Sequence, residues 1–344
     1  MADSSPRLDI VGSGIAAATC ALLGAQQGFA VCFDSVGVPP ERIVSVPRAT
    51  VDLIEELTGV SIARTLPSRT VTTRRVAWES RDVSSMPIDA LVFDAGALAR
   101  EIGDHFLLHA GEAQHDHEPV HWTIVAQGRQ PGAGRITAGE RQAISGWIAS
   151  LPGFDEAETV VACTPQAWVF AAPHPVAGIA LTAVYPPWPG AIAVDHVLEE
   201  AIDFLWPGFG PRVERPTARG VLAAPSLEPG CAVPGRLAAG EAAIGFDPLR
   251  GDGVGNAVRG ALLAQSVIAA IAGGADEASC LAHYSARLAH AFAEHVQTCS
   301  AHYSRAWNAA IWSGEVALMS ACAARLTPSH PLGLRLEGRA LVPA

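Results

Sequence analysis

Residues 7–34 read as an apolar strand running into a glycine turn, a small-residue helix and a second strand, which leaves few folds open. The run Leu8-Asp9-Ile10-Val11 leads into Gly12-Ser13-Gly14-Ile15-Ala16-Ala17, a GxGxxA pattern. Gly12 permits a tight turn, Gly14 lets the backbone approach a pyrophosphate, and Ala17 lets the helix pack close to the strand. The pyrophosphate then rests on the helix N-terminus. The helix is expected to continue to about Gln27, with Gly28 ending it, and Phe29–Phe33 reads as a buried strand ending at Asp34 and Ser35. Asp34 follows Gly14 by 20 residues, the separation at which an acid at a strand end accepts both hydroxyl hydrogen bonds of a ribose. Strand, turn, helix, strand and acid in this order predict an adenine-dinucleotide site on a parallel α/β sheet.

Composition narrows the class of chain around that site. Its 344 residues, 49% of them apolar, suit one large domain or two intertwined ones. The net charge of −11 and the lack of a basic run argue against nucleic acid as a partner. Met1–Arg7 carries no basic region followed by an apolar signal core, and the apolar stretch Val254–Gly274 contains Asn256, Arg259 and Gln265. Those features predict a non-secreted protein with a buried helix there and no membrane span. Seven scattered cysteines without a CxxC pair point to a reducing cytoplasm and away from disulfide-reductase chemistry. All 23 basic residues are arginine, so no lysine exists to form a Schiff base.

Between these landmarks, periodicity predicts a helix over Arg48–Leu57 with Arg48 at its start, and strands over Thr70–Trp78 and Arg81–Ile88. A short helix over Ala95–Ile102, strands near Phe106-Leu107-Leu108 and Trp122–Val125, and extended chain from Glu158 to Tyr185 follow. A helix over Val194–Leu205 and a helical tail from about Glu277 complete the reading.

A second glycine-rich signature lies in residues 235–264. There a strand leads through Gly240-Glu241 to the loop Asp247-Pro248-Leu249-Arg250-Gly251-Asp252-Gly253 and on to Val254, Gly255 and Asn256, which open a helix. The positive end of that helix suits an electron-rich ring edge, and its glycines allow backbone amides to approach one. Together with the first signature, this resembles the flavin-dependent monooxygenases and halogenases of the glutathione-reductase-type FAD superfamily. In that group a GD segment meets the FAD ribityl chain, where Gly240-Glu241 stands here, and a DP-x-x-G-x-G loop borders the flavin. A strand ending in ATG resembles Val125-Ala126-Gln127-Gly128-Arg129. The resemblance implies bound FAD and an α/β fold: a Rossmann-type FAD-binding domain (1–60, 89–150 and 220–275) interleaved with a β-sheet substrate domain (61–88 and 151–219) and closed by C-terminal helices (276–344). It also implies cofactor contacts at Arg48, Ala110, Ala126, Gly128 and Glu241.

Within that superfamily the chain is most similar to the small flavoproteins that hydroxylate a tryptophan side chain during tryptophylquinone enzyme maturation, and to flavin hydroxylases of natural products. Trp168–Pro173 resembles their substrate-side strand, and His302–Trp307 their C-terminal aromatic helix. The resemblance implies oxygen transfer to an aromatic small molecule or peptide through a flavin C4a-hydroperoxide. Halogenases of the group rely on a lysine and a WxWxIP segment, and this chain has neither. No second GxGxxG marks a nicotinamide domain, so a separate flavin reductase or electron donor is implied. An oxidase or dehydrogenase without oxygen insertion, and a flavin-fold binding partner without turnover, remain as alternatives. His174, between Pro173 and Pro175, is the candidate proton donor, although a histidine there also suits an idle loop. His109, His115, His117 and His121 lack zinc-type spacing with cysteine. Trp78, Trp168, Trp188 and Trp206 suit either core packing or an aromatic cavity.

Overall fold

The computed structural model describes residues 7–35, 37, 41–109, 121–129, 134–187, 194–207, 213, 220–326 and 333–344. Strand β1 (Arg7–Val11) turns at Gly12 into α1 (Ile15–Gln26), and β2 (Ala30–Asp34) returns parallel to β1 with Val11 beside Asp34. Gly12 has φ 146°, and a Cβ there would collide with the Ala126 carbonyl, so only glycine closes this turn. Every residue of α1 from Ile15 to Gly24 is buried, because its alanines let other helices come close.

Here the chain leaves the nascent parallel sheet. It forms β3 (Ile43–Pro47), α2 (Arg48–Thr58), the short α3 (Ile62–Thr65), β4 (Ser68–Ala77) and β5 (Ser84–Asp94) before α4 (Ala95–His109) packs back on α1. β6 (His121–Val125) then joins β1 in parallel, with Val125 beside Val11. A second excursion runs through β7 (Ile136–Thr137), β8 (Gln142–Ile148), β9 (Glu158–Cys163), β10 (Trp168–Pro173), β11 (Ile179–Tyr185), α5 (Val194–Leu205), β12 (Val221–Leu222) and β13 (Ser226–Leu227). The return consists of β14 (Ala232–Val233), β15 (Arg236–Ala238) and β16 (Ile244–Gly245), followed by α6 (Gly253–Ala272), α7 (Glu277–Arg305), α8 (Ala309–Arg325) and the hairpin β17 (Leu334–Glu337) and β18 (Ala340–Pro343).

Two large sheets result. One has the order β14-β15-β6-β1-β2, with β15, β6, β1 and β2 parallel; the other has the order β12-β8-β11-β10-β9-β4-β5-β3. The α/β fold class and the interleaving therefore match the sequence reading. Hydrogen bonding nevertheless assigns β3, the end of β5 and β8 to the eight-stranded sheet, whereas the ranges 1–60 and 89–150 group them with the dinucleotide half. The expected strand at Phe106-Leu107-Leu108 is the last part of α4. Leu98, Ile102 and Phe106 are buried at four-residue spacing while Leu107 and Leu108 are exposed, a helical stripe that a three-residue apolar run conceals. β5 begins and ends later than the expected strand over Arg81–Ile88, and α6 is the buried helix foreseen between Val254 and Gly274, packed against α1 and α7.

The eight-stranded sheet has two unlike faces. Ile144, Ile148, Val160, Ala162, Val169, Ala171, Leu181 and Ala183 point one way and pack against Val197, Leu198, Ala201 and Ile202 of α5. With α5 on one side, the alternate residues of the same strands face inward toward the dinucleotide half. Leu198 is fully buried in that layer, so Leu198→Ala should cost about 2–5 kcal/mol. A chemical-denaturation midpoint that drops with an unchanged slope is the expected result.

Candidate functional site

The first glycine loop forms as its sequence dictates. No side chain caps the N-terminus of α1, Gly14 faces open space, and the Gly12 N–H bonds the Asp34 carbonyl at 3.1 Å. The Asp34 carboxylate stands exposed at the end of β2 with no hydrogen bond or ion pair among the described residues, and Ser35 follows it, exposed. Ala126 lies beneath Gly12, its N–H bonded to the Val11 carbonyl at 2.8 Å, and Gly128 turns the chain just beyond. Ser13, Ile15, Ala16 and Ala17 complete the turn and first helical residues. Ala110 lies outside the described residues.

The second loop joins the first through Gly240, where a Cβ would stand 2.6 Å from the Ala16 methyl group. Two arginines hold this loop in place. The Arg129 guanidinium donates to the carbonyls of Leu222, Ala224 and Phe246 at 2.8, 2.7 and 3.1 Å, while Arg135 donates to the carbonyls of Glu241 and Ala242 at 2.6 and 3.0 Å. Arg42 Nη1 meets Glu241 Oε1 at 3.3 Å. Burial raises the Glu241 carboxyl, but Arg42 and Arg129, helped by Arg135, outweigh it and hold the group below its ordinary value.

Between this loop and the inward face of the eight-stranded sheet lies a cavity of about 1410 Å³. Single small-molecule sites measure roughly 300–1,000 Å³, so there is room for a flavin ring and a substrate together. The loop wall comprises Arg42, Glu241, Asp247, Pro248, Gly251, Gly253, Val254 and Asn256; the sheet wall includes Arg74, Ser145, Trp147, Trp168, Phe170 and Thr182. Asn256 Nδ2 is buried with no hydrogen-bond partner among the described residues, a donor left over for a ligand. Val254 and Gly255 are buried at the start of α6, whose N-cap residue Asp252 instead binds Arg259 at 2.7 Å and Thr50 at 3.3 Å.

Behind the loop runs a buried polar chain. Arg141 is fully buried and donates to Asp247 Oδ2 at 2.5 Å and to Glu315 Oε2 at 2.7 Å. Asp247 also caps the Leu249 N–H at 2.8 Å and accepts from the Tyr303 hydroxyl at 3.2 Å, which accepts in turn from the Trp168 indole at 2.9 Å. Burial, and then Asp247, push the Tyr303 hydroxyl well above its ordinary value, so it remains a donor. The Asp247 N–H donates to His295 Nε2 at 2.8 Å. A residue of the cavity wall, the flavin-type loop and both C-terminal helices are thereby one connected unit.

The other sequence candidates fall variously. His174 lines the cavity, its Nε2 3.3 Å from Glu41 Oε1 and its Nδ1 accepting from the Val176 N–H at 3.3 Å. Arg48 stands outside the cavity wall, 3.6 Å from Asp89. His121 binds Asp9 at 2.6 Å, whereas His115, His117 and the His109 side chain lie outside the described residues. Trp168 lines the cavity. Trp78 packs edge-on against Trp168 and Tyr303, Trp206 packs against the α5 layer, and Trp188 is outside the described residues. Trp147, Arg42, Arg129, Arg135, Arg141 and Glu315 carried no local signature; in a chain whose basic residues are all arginine, composition does not distinguish a buried clamp from a solvated one.

No family model matches the sequence, and no curated protein matches it significantly. Solved structures do match. The peptidyl tryptophan dihydroxylase QhpG, essential for tryptophylquinone cofactor biogenesis, superposes with a TM-score of 0.73 at 16% identity, over 99% of this chain and 86% of its own. The myxobacterial chondrochloren halogenase CndH, a variant of the FAD-dependent halogenases, gives 0.73 at 15% identity over 90% and 85%. The 2,6-dihydroxypyridine-3-hydroxylase of Arthrobacter nicotinovorans gives 0.66 at 14% over 89% and 93%. The chain thus has the fold of the FAD-dependent monooxygenase and halogenase group.

His295 offers a test of the buried chain. Burial lowers its pKa from 6.5 to about 4, with Asp247 opposing and Arg250 and Arg141 assisting, so the folded protein keeps the ring neutral where the unfolded chain protonates it. A base whose folded pKa is depressed contributes a stability loss as pH falls from about 6.5 toward 4, approaching about 1.4 kcal/mol per pH unit. His295→Gln should flatten the unfolding free energy across that window. An identical slope in both proteins would contradict the neutral-imidazole assignment.

Proposed function

We propose that the protein is an FAD-dependent monooxygenase acting on an electron-rich aromatic substrate. The observation carrying this reading is that the second glycine loop, which meets the first where Gly240 abuts Ala16, borders a cavity whose far wall presents Trp147, Trp168 and Phe170. The residues fit FAD. The uncapped N-terminus of α1 suits the pyrophosphate, the unpartnered Asp34 suits the ribose, and Asn256 Nδ2 with the Gly251–Val254 backbone suits the ring edge. Glu241 takes the ribityl side, with Arg42 beside it.

Bound FAD, once reduced, supplies the oxygen-transfer chemistry; the chain supplies position, dryness and charge. The aromatic wall stacks and orients the substrate. Val44, Val46 and Val161 line the same space and keep water away from it. His174, with Nδ1 used as an acceptor, holds a proton at Nε2 facing Glu41 and is the candidate proton donor. Electrons come from a separate donor, since no second dinucleotide signature is present in the sequence. The absent lysine supports oxygen transfer over halogenation. The named activity of the dihydroxylase neighbour supports an indole, free or within a peptide, as substrate. The seven cysteines, all unpaired, suit a reducing cytoplasm.

The test is a single turnover. FAD-loaded, chemically reduced protein is mixed with indole under nitrogen and then with dioxygen, and the product is weighed by mass spectrometry. A gain of one oxygen atom is expected; a halide-dependent product, or oxidation of substrate by an artificial acceptor without oxygen gain, would contradict the proposal.

A further inference from the structure

We infer that Arg74 anchors a carboxylate on the substrate, which makes the ligand an aromatic acid. This rests on the proposed function only for the site it concerns, the sheet side of the cavity. In β4, Arg74 pairs in register with Thr159 of β9, and the alternation of that strand sets Thr159 on the same face as Val161, which lines the cavity with Arg74. Phe170 sits opposite Val161 on β10, and Thr182 opposite Phe170 on β11, so this one face carries the cation at one side and aromatic rings toward the other. Two strand spacings across the sheet, about 10 Å, and a two-residue offset along it, about 7 Å, set Arg74 and Phe170 about 12 Å apart on the diagonal, a gap that both side chains shorten. A ring with an acid on a short tether spans it.

Arg74 is half-buried and, among the described residues, has no carboxylate partner. Its Nε donates to Thr159 Oγ1 at 3.3 Å, and among those residues neither Nη makes a hydrogen bond or ion pair. Its neighbours in the strand are matched, Arg69 by Glu156 at 3.2 Å and Arg75 by Glu158 at 3.9 Å. The other cavity arginines are occupied too: Arg42 by Glu241, Arg129 and Arg135 by backbone carbonyls, Arg259 by Asp252, while Arg287 lies on the exposed rim. A partly desolvated guanidinium without a counter-charge is costly, and burial accordingly lowers its pKa. A ligand carboxylate restores the missing charge and takes the free Nη fork in bidentate geometry.

Calorimetric titration of the protein, with and without added FAD, against indole-3-acetate and its neutral isostere indole-3-acetamide reads this directly. The wild type should bind the acid about tenfold more tightly than the amide, the scale of a charge-assisted hydrogen bond. In Arg74→Gln the acid should fall to the affinity of the amide while amide binding is unchanged, which also reports a folded cavity; Arg74→Lys should recover part of the preference. Equal affinities in the wild type, equal loss of both ligands in Arg74→Gln, or no saturable binding of either would overturn the inference. A protein that loads FAD without a charge preference removes the anion site alone. One that shows the preference but takes no FAD removes the oxygenase reading and leaves this site standing.

Discussion

A single buried cation holds the working parts of this protein together. Arg141 has no exposed surface, and its two carboxylate partners come from the flavin-type loop and from α8, elements distant in sequence. Removing one member of such a buried group costs about 3–5 kcal/mol, because the charges left behind stay out of water. Access for that contact is itself arranged. Gly139 has φ 115°, and a Cβ there would collide with the Glu315 carboxylate and the Arg141 guanidinium. The Glu140 N–H then donates to the remaining Glu315 oxygen at 2.8 Å. The loop that borders the cavity is therefore fixed from behind, and its front is left for a ligand.

From that anchoring follows the division of labour between the sheets. The parallel sheet supplies the α1 N-terminus, the loop after β16 supplies that of α6, and glycine stands in both loops where side chains would intrude. The eight-stranded sheet buries one face under α5 and turns the other toward the α6 N-terminus across the cavity, so strand alternation decides which of its residues pack and which face the open space. Trp168 belongs to both systems, lining the cavity while its indole N–H ties it through Tyr303 to Asp247. The cavity wall at Trp168 is thus hydrogen-bonded to the loop that carries Asp247.

Much of the fold could be read from sequence where local chemistry decides structure. The β1–α1–β2 unit, the Asp247–Gly253 loop and α5 over Val194–Leu205 form where turn residues and periodicity place them. α4 was harder: its buried stripe is Leu98, Ile102 and Phe106, yet the exposed Leu107 and Leu108 beside Phe106 imitate a strand. Strand membership was also hidden, since β3, β5 and β8 choose their sheet by pairing with partners far along the chain. The site split in the same way. Glycines carry their meaning locally, so both loops were visible. The roles of Arg141, Arg129 and Arg74 depend on what stands opposite them, which no spacing within 344 residues reveals.

The central claim is that the two glycine loops form one FAD seat. It is tested most directly by visible absorption of the purified protein titrated with FAD, beside the variant Gly12→Val, whose side chain would strike the Ala126 carbonyl. The account predicts a protein-bound flavin spectrum that is released on heat denaturation, at one FAD per chain, and its loss in the variant. A colourless wild-type protein that leaves added FAD unperturbed, or equal flavin binding by Gly12→Val, would contradict it.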